Sequence, residues 1–153
     1  MVDFILASNW SYKVRSVVYN LVKKIADKKA VDALIPILKE DDDTARFYAA
    51  KALGEIGSQR AVKALSEALY DSDYSVQYMV AKALMNIGGT PAIDALINAL
   101  KNGDESLREI AANTLGDSGD KNVISLLLTA EKDSCEAVRK AARKSLEKMK
   151  SIE

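Results

Sequence analysis

The sequence predicts an all-α fold, a right-handed α-solenoid (α-α superhelix) of about five stacked helical hairpins. Three observations lead there. The chain repeats itself every 31 residues: Val14, Ala45, Val76, Leu107 and Val138 form one column, and Arg15, Arg46, Gln77, Arg108 and Arg139 form the next. Seven positions further, Val22, Leu53, Leu84, Leu115 and Leu146 hold the same register without an insertion, which is the signature of a repeat architecture. Within each repeat, apolar residues recur at helical spacing. Finally, 7 Gly and 2 Pro leave few breaks in 153 residues.

Each repeat carries two helical patterns. The first runs through AVDALIPILKE, AVKALSEALYD, PAIDALINALK and NVISLLLTAEK, with Leu34, Leu65, Leu96 and Leu127 in one slot. Val62, Leu65 and Leu69 recur at i, i+3 and i+7, one face of a helix. The second spans 44–56, 75–87 and 105–115 and is rich in alanine (Ala49, Ala50, Ala52; Ala81, Ala83; Ala111, Ala112). Small side chains cost nothing in helix propensity and let neighbouring helices approach.

The punctuation agrees. Gly57, Gly88 and Gly119 end second helices, where a left-handed residue is wanted. Asp73 and Asp104 stand where N-caps belong. Pro91 opens a first helix, and Pro36 lies inside one and should kink it. A shortened first helix over 2–7 completes repeat one; Phe4, Ile5, Leu6 and Trp10 leave that end less well capped, and are expected to bury against repeat two, with contact to another chain as the alternative. The chain reads as a single domain over 1–153, with hairpins near 1–27, 28–57, 58–88, 89–119 and 120–153. In the last, Arg143 replaces the column of Ala50, Ala81 and Ala112, and Lys150 falls where the glycines were. Such charges suit the polar cap that a solenoid end requires.

Composition removes several functions. Lys plus Arg and Asp plus Glu are both 22, so the net charge is zero, and a general polyanion binder is disfavoured. With no histidine, the commonest general base and metal ligand is missing, and Ser-His-Asp or Cys-His catalysis fails with it. Gly88-Gly89 lacks the Lys-Ser/Thr that follows in a phosphate loop. One cysteine, Cys135, forms no internal disulfide; its column otherwise holds Ser11, Asp42, Asp73 and Asp104, so it occupies a capping slot. Asp3 stands where a signal peptide carries positive charge, and no apolar run is long enough to span a bilayer. A cytoplasmic protein with no membrane partner is expected.

The copies DDDTARFYAAKALGEIG and DSDYSVQYMVAKALMNIG resemble the short HEAT-like repeats named after the phycobilin lyases. The resemblance covers nearly the whole chain. It implies that the second helices line a concave groove and the first helices lie outside. It also gives Arg15, Arg46, Arg108 and Arg139 a structural role, tying adjacent repeats together; Gln77 departs from the pattern and implies a softer junction. Some HEAT-repeat proteins, the deoxyhypusine hydroxylases, hold iron through His-Glu pairs, and this chain has none.

If the second helices line a groove, the columns that vary set its surface. One reads Ser16, Phe47, Tyr78, Glu109, Lys140, and the next Val17, Tyr48, Met79, Ile110, Ala141. A turn later come Asn20, Lys51, Lys82, Asn113 and Lys144; Tyr12, Asp43, Tyr74, Glu105 and Glu136 stand at the helix entry. Five of the nine aromatic residues fall in these columns. Aromatic area rimmed by lysine suits recognition of a partner. The competing reading, packing between helices, is strongest for Tyr48 and Met79, whose column is apolar throughout. The partner-binding set is therefore Tyr12, Phe47, Tyr48, Lys51, Tyr74, Tyr78, Met79, Lys82, Glu109 and Ile110. Glu105, Glu109 and Asp117 make repeat four acidic, and Lys140, Lys144 and Lys148 make repeat five basic.

The expected function is a non-catalytic, monomeric interaction scaffold taking a protein or peptide, with no cofactor, no metal and no nucleic acid. Two alternatives stand beside it. The resemblance implies a phycobilin-lyase-like subunit. A HEAT-like nucleic-acid binder, similar to the alkylpurine DNA glycosylases, rests on Lys51, Lys82 and Lys144.

Overall fold

The computed structural model describes residues 28–151, and these are all-helical apart from turns. The expectations for repeat one, including Tyr12, Arg15 and the helix over 2–7, lie outside the described residues. Eight α-helices run in chain order: α1 (Lys28–Leu34), α2 (Asp43–Ile56), α3 (Val62–Ala68), α4 (Tyr74–Ile87), α5 (Thr90–Asn102), α6 (Glu105–Asp117), α7 (Ile124–Ala130) and α8 (Glu136–Lys150). Each odd-numbered helix pairs with the next as a hairpin, so the fold is of the α-solenoid class. The chain divides into two compact units, 1–87 and 88–153.

In the first unit α2 packs on α4, α1 on α2, and α3 on α4. Leu53, Leu65, Leu69, Val76 and Leu84 fill its interior, each 1% exposed or less. Pro36 does more than kink the first helix. α1 stops at Leu34, and a 3-10 turn, Pro36–Lys39, carries Ile37 and Leu38 into the core. Proline has no N–H to continue the α ladder and fits a helical first turn. In the second unit α6 packs on α8, α5 on α6, and α7 on α8. Leu96, Leu107, Leu115, Leu127 and Val138 form its core.

Helix ends follow their capping residues. Asp42, Asp73 and Asp104 accept from the backbone N–H groups of Ala45, Val76 and Leu107 at 3.1, 3.0 and 2.8 Å. Gly57, Gly88 and Gly119 have φ of 72°, 66° and 66°, the left-handed geometry that stops a helix at glycine. The equivalent Lys150 is instead the last residue of its helix, with Ser151 as the C-cap in a right-handed conformation. Cys135 does occupy the N-cap position of α8, without a side-chain bond to the backbone.

Two devices hold neighbouring hairpins in each unit. The first is an arginine fork. Arg46 donates from Nε and Nη2 to both oxygens of Asp71 at 2.7 and 2.9 Å, and Arg108 does the same to Asp133 at 2.9 and 2.9 Å. Bidentate charge-assisted pairs of this kind are strong and directional. Both pairs are largely shielded, with side-chain exposures of 12% and 8%, and 18% and 15%. Burial pushes the Asp71 carboxyl up, but Arg46 and the Asp73 backbone N–H outweigh it and leave it below the ordinary carboxylate value. Asp133 is lowered by Arg108, against burial, with help from the Cys135 backbone N–H. The second device is close approach at a mid-helix glycine. A Cβ on Gly54 would lie 2.7 Å from the Ala83 Cα, and one on Gly116 would collide with Ser145.

Candidate interaction surface

The variable columns of the first unit lie on α2 and α4, which pack together. On α4, Tyr74 and Tyr78 sit one turn apart and are 52% and 42% exposed. Lys82, a further turn on, holds its ammonium 5.5 Å from the centroid of the Tyr78 ring, a cation–π arrangement. Tyr70, in the turn preceding α4, adds a ring that is 51% exposed. On α2, Phe47 and Tyr48 meet edge to face with centroids 5.3 Å apart. Both are half-buried, as are Lys51 and Met79. Phe47 and Tyr78 share one column of adjacent helices, but only Tyr78 is largely in solvent.

Two expected surface residues lie in the second unit. Glu109 is half-buried on α6. Ile110 corrects the sequence-based expectation: it is 2% exposed and belongs to the core. Its column contains no polar residue in any repeat, and Ala141 in the same column is 5% exposed. Apolar residues confined to one column are there to be removed from water.

The expected division into acidic repeat four and basic repeat five is partly neutralised. Lys148 pairs with Asp117 at 2.5 Å, and Lys140 with Glu136 at 2.8 Å. Such exposed pairs contribute little to stability. Sequence reasoning did not single out Tyr70, which lies at the end of a first-helix pattern. Nor did it name Asp71 and Asp133 as partners of the arginines, although both stand 25 residues after an arginine of the repeat.

Among the described residues no group of His, Cys, Asp and Glu side chains could hold a metal ion. No helix there is long and apolar enough to cross a membrane.

The chain belongs to the HEAT repeat family, whose sequence profile matches residues 5–84, 31–104 and 93–153. Its fold is similar to human deoxyhypusine hydroxylase in complex with glycerol (22% identity, TM-score 0.73), covering 86% of this chain and 46% of that one. It is also similar to the CpcE–CpcF complex of phycocyanin lyase from Nostoc (23% identity, TM-score 0.63), covering 99% of this chain and 65% of that one. An engineered protein matches over 98% of this chain and 79% of its own length (23% identity, TM-score 0.53). The chain thus spans less than two thirds of either natural neighbour, and at these identities the likeness is one of fold. No curated protein sequence matches it.

Proposed function

We propose that the chain is a non-catalytic interaction module, and that the α2–α4 face of the first unit receives a protein or peptide. The observation that carries this reading is the Tyr74–Tyr78–Lys82 stripe, with two rings about half in solvent at successive turns of one helix. Tyrosine offers large contact area at low entropic cost and a polar tip that tolerates water before binding. Phe47, Tyr48 and Lys51 extend the surface on α2, and Met79 adds an adaptable apolar neighbour. The absence of histidine from the whole sequence supports a non-enzymatic role.

The test is affinity capture on the wild-type chain and on a Tyr74→Ser, Tyr78→Ser double variant. Both residues are exposed enough that the variant should keep its helix content and melt within about 3 °C of wild type. Proteins retained by the wild type should be lost by the variant. Equal retention by both would remove this surface from consideration. Two further measurements address other readings: a bilin titration should leave the pigment's absorbance unshifted, and DNA should bind no better at low salt than to a neutral control.

A further inference from the structure

Lys82 is the one charged side chain of α4. It is exposed, its ammonium stands 5.5 Å from the centroid of the Tyr78 ring, and no carboxylate pairs with it among the described residues. The acidic side chains just before α4 are committed elsewhere. Asp71 is held by Arg46, and Asp73 caps the helix through the Val76 N–H. Several exposed cations elsewhere do meet a carboxylate: Lys39 meets Glu67, Arg60 meets Asp32, and Lys148 meets Asp117. Tyr78 shares the open valence of Lys82. Its side chain is 42% exposed, and its hydroxyl makes no hydrogen bond among the described residues.

The position of the ammonium decides what can approach. An aromatic face attracts cations, and Lys82 already supplies one. A basic group from a partner would meet a like charge there. A partner that covers Tyr78 also strips water from Lys82, because the two stand so close. A desolvated charge is costly unless a counter-charge meets it, and a desolvated hydroxyl needs an acceptor. One carboxylate, with two oxygens, can accept a hydrogen bond from each. Nucleic acid fits less well. Phosphate binding draws on several cations in series, whereas α4 offers one and the net charge of the chain is zero.

We propose that the occupant of the Tyr74–Tyr78–Lys82 stripe is an acidic peptide segment. It sets an aspartate or glutamate carboxylate on the Lys82 ammonium and the Tyr78 hydroxyl, and lays apolar side chains over the rings. This rests on the reading of the stripe as a docking surface and adds to it the charge of the partner.

A display library of random dodecapeptides is selected on the full-length chain. Sequences enriched by the wild type and lost on the Tyr74→Ser, Tyr78→Ser double variant define binding at the stripe. Aspartate and glutamate should be over-represented among them, and selection on Lys82→Glu should replace them with lysine and arginine. The strongest peptide is then synthesised with its acid and with the matching amide. The amide should bind the wild type about tenfold more weakly, and the two forms should differ by under about threefold on Lys82→Gln. Lys82 is exposed, so both of its variants should melt with the wild type. Stripe-dependent peptides without acidic preference, or a tenfold amide penalty that persists in Lys82→Gln, would overturn the carboxylate and leave the docking surface standing. A selection that yields no peptide dependent on Tyr74 and Tyr78 would overturn both. Displacement of the peptide by a mixed-sequence oligonucleotide would give the stripe to nucleic acid and overturn the proposal.

Discussion

The two units close their helix pairs with the same parts and present different surfaces. In the first, Arg46 clasps Asp71 and Gly54 abuts Ala83; in the second, Arg108 clasps Asp133 and Gly116 abuts Ser145. Outside those parts they diverge. The aromatic residues Phe47, Tyr48, Tyr70, Tyr74 and Tyr78 all belong to the first unit, and residues 88–153 contain no aromatic residue. The second unit instead ends in a basic helix. Parts that recur account for stacking, and parts that differ are free to specify ligands. The division between units falls at the end of α4, the second helix in which the arginine slot holds Gln77 and the glycine slot holds Met85.

Breaking the close approach should have the largest effect in both units. Gly54→Leu and Gly116→Leu force side-chain atoms into Ala83 and Ser145, so each should lower stability by about 3 kcal/mol in urea titrations. A loss under about 1 kcal/mol at either site would show that its helices separate cheaply.

Next come the forks. Arg46→Ala leaves Asp71 with an unpaired, shielded charge and should cost about 3 kcal/mol. Arg108→Ala should cost about 2 kcal/mol, because its pair is more exposed. The reverse ranking would mean that shielding does not set the strength of these pairs.

The same forks predict an acid limb. Asp71 and Asp133 have folded pKa values below their ordinary values. Their stabilisation is therefore present above the unfolded value of about 4 and is lost as pH falls through the folded pKa. Melting temperature should drop over that window in the wild type. Each arginine-to-alanine variant should show a smaller drop.

The smallest effect separates surface from core. Tyr78→Ser should change stability by under about 0.5 kcal/mol, whereas Ile110→Ala, in the column beside it, should cost about 3 kcal/mol. Similar losses at both positions would place Tyr78 in the packed interior.

Much of this was legible from the residues. The 31-residue register, the left-handed glycines at 57, 88 and 119 and the aspartate caps each have a local cause that sequence displays. The arginines were legible as ties between repeats, but their partners were not. Asp71 and Asp133 share their column with Glu40 and Asn102, so the signal there is diluted. Side-chain exposure was the least accessible property. A column holding Phe47, Tyr78, Glu109 and Lys140 reads as solvent-facing, yet Phe47 is half-buried against Tyr48. The depth of one side chain depends on the size of its neighbours, which column averages do not carry. Ile110 was misplaced for a similar reason, since its column varies in size and was read as surface, while Ile110 and Ala141 in that column are buried.

Asp133 takes both Arg108 on its carboxylate and Arg139 on its carbonyl. One residue thereby joins the rung before it to the rung after it. Such a joint works as a ruler: an added or deleted residue between Arg108 and Asp133 changes the length that the Arg108 fork must span. Gly119, within that span, sits in a left-handed turn with nothing near its missing side chain, so substitution there is limited by backbone conformation and not by crowding. A change of length inside this repeat should therefore disturb the stacking more than a substitution in the variable columns does.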